Sequence, residues 1–153
     1  MNTADLKTTP VEIVDVQPRT AAVVRKQVAM SDIPDAQRRA RLVLETALKA
    51  AGVTPLGPNL TVWRMPEGGF MDYAPGVFVG EPLAETSEVS SFTLPEGRAA
   101  HVRLAGSYAG LPGAWARLFK GCVGRELSGM NWEVYTAADS SGEMHTDLYA
   151  LLA

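Results

Sequence analysis

The segment Trp132-Glu133-Val134-Tyr135 sets a carboxylate and a phenol two residues apart in a run of β-branched and aromatic side chains. Residues two apart on a strand share a face, so Glu133 and Tyr135 project together while Trp132, Val134 and Thr136 point the other way. An earlier segment, Gly57-Pro58-Asn59-Leu60-Thr61-Val62-Trp63, has the layout of Gly129-Met130-Asn131-Trp132-Glu133-Val134-Tyr135 and aligns Thr61 with Glu133 and Trp63 with Tyr135. Two large aromatics and one acid suit a planar or cationic molecule, because ring faces attract positive charge and the carboxylate supplies the countercharge. The competing reading is a strand glutamate open to water beside an aromatic that shields backbone. Alternation leaves the wet face undecided. If helices cover the Leu60/Val62 and Trp132/Val134 face, then Trp63, Glu133 and Tyr135 stand on the uncovered side.

These segments belong to a wider internal repeat. Ala21-Ala22-Val23-Val24-Arg25 returns 78 residues later as Ala99-Ala100-His101-Val102-Arg103, and the Ile33-Pro34 pair returns at the same spacing as Leu111-Pro112. The Gly-x-Asn segments are 72 residues apart, so a single length difference of six residues separates the two copies. Residues 1–10 form a polar tail, 11–79 a first module, 80–88 a linker and 89–152 a second module.

The elements that must position the candidate residues follow from periodicity. Val11–Val16 and Thr20–Val28 read as strands around the Gln17-Pro18-Arg19 turn. Ser31 or Asp32 offers an N-cap and Pro34 suits a first helical turn. Ala36, Ala40, Val43, Ala47 and Ala51 then form an apolar stripe, with Arg38, Arg41, Glu45 and Lys49 opposite, and Gly52 stops the helix. Leu60–Met65 and Ala74–Val79 close the first module as strands. In the second, Val89–Leu94 and Ala99–Ala105 are strands, and a helix from Leu111-Pro112 buries Trp115, Leu118, Phe119 and Cys122. Gly121 and Gly124 require that helix to be short or closely approached. Trp132–Ala137 and Thr146–Leu151 are the last strands. Each module thus reads β-β-α-β-β, and the fold class is α+β, two helices on antiparallel sheet.

Composition narrows the chemistry. A chain of 153 residues, 46% hydrophobic and 20% charged, is long enough for a core without disulfide or metal. A net charge of −3 argues against direct nucleic-acid binding and leans toward neutral or cationic ligands. No apolar run approaches a membrane span or a signal-peptide core, so the expected location is the cytoplasm, away from the membrane. The single cysteine, Cys122, falls on the buried helical stripe, and no cluster has metal-ligand spacing. His101 and His145 lack a Ser or Cys partner motif. No cofactor is expected.

The run Gly106-Ser107-Tyr108, Leu111, Ala114-Trp115, Gly129, Trp132-Glu133-Val134-Tyr135 and Thr146-Asp147-Leu148-Tyr149 resembles the GyrI-like small-molecule-binding domain, the effector-binding domain of AraC- and MerR-type multidrug regulators. The resemblance covers about Val11 to Leu152. The chain departs from the pattern at Arg25-Lys26-Gln27, in the serine- and glycine-rich Ala137–Glu143, and at Ala150-Leu151-Leu152, which lacks the usual proline. The resemblance implies a pseudo-twofold pair of modules with a ligand cleft between them. The family's pocket acid falls on Glu133, with Trp63 and Tyr135 as walls, Tyr108 and Tyr149 as further wall candidates, and His101 at the edge. The implied function is binding of a hydrophobic small molecule for sensing or sequestration, in a stand-alone form too short to add a DNA-reading domain. Two alternatives accompany it. One is hydrolysis of reactive electrophiles such as cyclopropane-bearing compounds, with Glu133 and Tyr135 catalytic. The other is a protein-interaction module of the gyrase-inhibitor kind, with a protein partner.

Overall fold

A computed structural model describes residues 7–65, 68–136 and 143–153. The chain divides into two compact units, Gln17–Pro95 and a discontinuous one of Met1–Val16 with Glu96–Ala153. Each carries one helix on an antiparallel sheet, so the chain is α+β.

In the Gln17–Pro95 unit the strands are β2 (Arg19–Val23), β3 (Lys26–Ala29), β4 (Asn59–Arg64), β5 (Phe70–Phe78) and β6 (Ser90–Leu94). Their order is β4-β5-β2-β6, with β3 also along β5. The strand expected over Thr20–Val28 is interrupted at Val24-Arg25, yet its register against β5 runs through, from Val23 opposite Gly76 to Lys26 opposite Tyr73. Pro75 is the reason. It has no N–H to donate and only accepts, from the Val24 amide at 2.9 Å.

Helix α1 (Ile33–Ala51) carries Pro34 in its first turn and ends on Gly52 in the left-handed conformation at φ 68°, whose N–H returns to the Leu48 and Lys49 carbonyls. Its buried stripe is Ala40, Leu44 and Leu48, which join Ala22, Val24, Val77, Val79, Leu83 and Val89 in the core, with Val43 and Ala47 half-buried against them. The stripe is rotated from the alanine-led one read in the sequence. Ala51 is exposed, and Arg41, assigned to the outer face, turns inward to donate to the carbonyls of Gly76 at 2.6 Å and Leu60 at 3.3 Å. Leu44 and Leu48 bury more apolar area than alanines could, so they set the face. Leu83 of the 80–88 segment is buried as well, held where Ser91 Oγ donates to its carbonyl.

The other unit has strands β1 (Glu12–Val16), β7 (Gly97–Ala105), β8 (Leu127–Thr136) and β9 (His145–Leu152), in the order β1-β7-β9-β8. Helix α2 (Leu111–Lys120) packs on β7 and β9 and buries Ala114, Trp115 and Leu118. It stops at Gly121, and Cys122 is buried just beyond it. A Cβ on Gly121 would come within 2.7 Å of Val11 Cγ2, so both readings of that glycine hold: the helix is short and the approach is close.

The compact units are not the sequence modules. Strand β1, first of module 11–79, pairs with β7, and β6, first of module 89–152, pairs with β2. The leading strands are exchanged between the two copies.

Candidate functional site

Glu133 lies on β8 opposite Leu148 of β9 and is 8% exposed. Its Oε1 accepts from Trp115 Nε1 at 2.7 Å and its Oε2 from the Tyr135 hydroxyl at 2.6 Å. Both donors are neutral, and among the described residues no basic side chain pairs with Glu133. Burial pushes the Glu133 carboxyl above the usual carboxylate range, and the hydrogen bonds from Tyr135 and Trp115 pull it partway back. Tyr108, in a single 3-10 turn over Tyr108–Gly110 before α2, sets its ring edge-on to Tyr135 with centroids 5.6 Å apart. It is half exposed, which places this aromatic pair at the surface side of the acid.

The indole from α2 shows which face the helix covers, so the condition under which Trp63, Glu133 and Tyr135 would stand on an uncovered side is not met. Glu133 and Tyr135 lie under the helix; Trp132 and Val134 face away from it. Trp115 reaches Glu133 because it sits on the inner stripe of α2 with Ala114 and Leu118. It was legible as core but not as a partner of the acid, since nothing local links residues on a helix and a distant strand.

The same construction recurs in the Gln17–Pro95 unit, with different chemistry. Gln37, one helical turn after Pro34 as Trp115 is after Pro112, donates through Nε2 to Thr61 Oγ1 at 2.7 Å and to the Tyr73 hydroxyl at 2.8 Å. Arg41 Nη2 donates to Gln37 Oε1 at 3.3 Å. Trp63, opposite Tyr73 on β5, is buried on this helix-covered face. An amide–hydroxyl network therefore occupies the positions that hold an indole–carboxylate pair in the other copy. The sequence alone does not mark Gln37, Arg41 and Tyr73 as site residues. Their only signal was the repeat itself, extended into the helix.

His101 and Tyr149 belong to a different cluster. Register places His101 opposite Tyr149 and Trp132 opposite Tyr149, all on the face of β7, β9 and β8 away from Glu133. Trp132 and Tyr149 stack with centroids 5.1 Å apart, and His101 lies 4.9 Å from Tyr149. Beside them buried Asp147 accepts from Arg103 Nε at 3.0 Å and Nη2 at 3.2 Å, and His101 Nε2 lies 2.7 Å from its Oδ1. Burial alone would raise the Asp147 carboxyl, but the hydrogen bonds and charges of His101 and Arg103 outweigh it and hold it below its ordinary value. Among the described residues no group of three His, Cys, Asp or Glu could hold a metal ion, and no helix is long and apolar enough to cross a membrane. Pro66, Glu67 and most of the Ala137–Glu143 segment lie outside the described residues.

The helix-and-sheet unit recurs twice, with Glu133 buried beneath one of the helices, and comparison with known proteins gives the family. The chain belongs to the GyrI-like family: the GyrI-like small molecule binding domain matches residues 9–149. No curated protein matches it in sequence. Among solved structures, the EcmrR C-terminal domain is 16% identical with a TM-score of 0.76, over 97% of this chain and 98% of that one. In the EcmrR–DNA complex, at 17% identity and a TM-score of 0.77, the match takes 95% of this chain and spans 57% of that chain. SAV2435 bound to tetraphenylphosphonium is 12% identical with a TM-score of 0.71, over 95% and 94% of the two chains. A hydrolase encoded by lin2189 from Listeria innocua is 12% identical with a TM-score of 0.55, over 94% and 92%. At these identities the likenesses establish the fold.

Proposed function

We propose that this protein binds lipophilic organic cations, planar or bulky, with Glu133 as the acid that receives the charge and Tyr135, Tyr108 and Trp115 as the aromatic surround. The observation that carries this reading is the electrostatic incompleteness of Glu133. A buried carboxylate without a cation is costly, and a ligand cation supplies what no described residue does. Ring faces beside the acid strengthen the preference for positive charge over neutral ligands of the same size. The fold shared with SAV2435, which was solved with such a cation, supports the ligand class. Trp63, matched by the repeat to Tyr135, is a wall candidate within its own unit. His101 and Tyr149 face away from Glu133 and are left out of the site.

Titration with tetraphenylphosphonium, followed by tryptophan fluorescence, tests the reading because Trp115 touches the acid directly. Glu133→Gln keeps the shape and removes the charge, and affinity should fall on the order of tenfold or more, about 1.4 kcal/mol. Equal affinity in the two proteins would remove Glu133 from the centre of the site.

The Tyr135–Glu133 contact at 2.6 Å also favours a second reading, hydrolysis of a strained electrophile with the carboxylate activating water and the phenol delivering a proton. Its signature is product in excess of one equivalent per protein; a stop at one equivalent or less returns the site to binding.

A further inference from the structure

We propose that the site works by exchange: the empty site keeps a proton on Glu133, and each singly charged organic cation that enters displaces that proton to solvent. The inference rests on the reading of Glu133 as the central acid and adds to it a second, released species.

The two hydrogen bonds assign the proton to one oxygen. An indole N–H can only donate, so Oε1, which faces Trp115 Nε1 at 2.7 Å, acts as the carbonyl oxygen whichever form the acid takes. A phenol can donate or accept. The 2.6 Å contact between Oε2 and Tyr135 therefore survives protonation by reversing direction, with the carboxyl O–H donating to the phenol oxygen. Both contacts persist in both states, the phenol hydrogen turning away from Oε2 when the acid is protonated and back to it when the proton leaves. Oε2 is also the oxygen that meets the less buried neighbours. Tyr135 is half-buried, the next residue, Thr136, is exposed, and half-exposed Tyr108 lies edge-on to the Tyr135 ring.

Among the described residues of its unit, the groups facing Glu133 include no cation. On β8 the titratable neighbour is Tyr135, and before α2 it is Tyr108. Strand β9 brings Thr146, Leu148 and Ala150 to this face, none of them ionisable, while Asp147, with His101 and Arg103, lies on the other. From α2 the inner residue is Trp115; Arg117 is turned to Thr8 Oγ1 and Lys120 is exposed. The acid is thus buried beside neutral described groups, a setting in which the charged form is disfavoured. The exchange balances: a neutral acid and a monocation become a carboxylate–cation pair and one proton in water, and the net charge in the site stays at zero.

The test is calorimetric titration of tetraphenylphosphonium in buffers of different ionisation enthalpy, repeated from mildly acidic to mildly alkaline pH. The dependence of the observed heat on buffer should report release approaching one proton on the acid side. Affinity should rise about tenfold per pH unit there and level off once the empty site has lost its proton. Tyr135→Phe removes a hydrogen bond that favours the carboxylate, so its levelling point should move to higher pH. Glu133→Gln, checked for a cooperative melt, should bind weakly and release no proton. Strong wild-type binding with no proton release at any pH, and weakening by Glu133→Gln, would overturn the exchange and leave Glu133 as the central acid. Proton release that persists in Glu133→Gln would also overturn it by placing the proton elsewhere. Absence of binding, or binding indifferent to Glu133→Gln, would overturn both.

Discussion

Glu133→Gln should make the unliganded protein more stable at neutral and alkaline pH, although it alters the residue proposed to carry function. Glutamine is nearly isosteric. Its Oε1 can still accept from Trp115, and its amide N–H can donate to the Tyr135 oxygen, so both contacts at 2.7 and 2.6 Å have successors. What disappears is the charge of a side chain only 8% exposed. Because burial raises the folded carboxyl above its unfolded value, its favourable contribution is present in full below the unfolded carboxylate range. It is then lost as pH rises through the raised folded value. In acid, where wild-type Glu133 is neutral, the two proteins should differ little. Above the raised value, the wild type carries a buried charge that the variant lacks, a difference of about 1–3 kcal/mol on the scale of incompletely compensated buried polar groups. For a domain of this length that is roughly 3 °C in melting temperature per kcal/mol. Urea unfolding of both proteins at closely spaced pH values, followed by circular dichroism, measures the difference as a function of pH. A stability difference that does not change with pH, or a wild type that is the more stable one in alkali, would refute the assignment of Glu133 as a buried acid without a cation.

The opposite sign is expected at Asp147. Its carboxyl is held below its ordinary value by His101 and Arg103, so its contribution is present above the unfolded carboxylate range and lost as pH falls through the folded value. Asp147→Asn should cost about 1–2 kcal/mol at neutral pH, since the half-exposed Arg103 is partly screened, and the cost should shrink in acid. A pH-independent cost in urea unfolding would count against the ion cluster. Gly76→Ala should destabilise by about 1–3 kcal/mol, because a Cβ there would sit 2.6 Å from both the Ala22 carbonyl oxygen and Val23 Cγ1, and backbone cannot yield as a flexible side chain would. A melting temperature unchanged by that substitution would show that β2 and β5 tolerate separation.

Much of the architecture was legible because its signals are local. The caps of α1 follow from Pro34 and Gly52, and the strands flanking both helices follow from alternation and turn residues. The repeat survives as matched helix-to-strand hydrogen bonds, Gln37 to Thr61 and Trp115 to Glu133, both 2.7 Å. Legibility failed where a local rule left two answers. A stripe of alanines and a stripe containing Leu44 and Leu48 differ by a small rotation of one helix, and burial area chose between them. Pro75 broke a strand that is not its own, which no reading of residues 20–28 could reveal.

By itself, then, the sequence determined that Glu133 and Tyr135 share a face, that Trp132 and Val134 share the other, and that the chain carries two copies of one helix-and-sheet plan. Those are consequences of a two-residue strand period and of self-similarity, and neither needs a partner. Only the tertiary structure decided which face the helix covers, and with it that the acid lies beneath Trp115 instead of open to water. It also separated His101 and Tyr149 from Glu133 and exchanged the leading strands between the copies. The physical reason is that alternation fixes relative direction only. Which direction is inward depends on the packing of a helix whose Trp115 lies 18 residues away along the chain, and on apolar area that is buried only once the pieces meet.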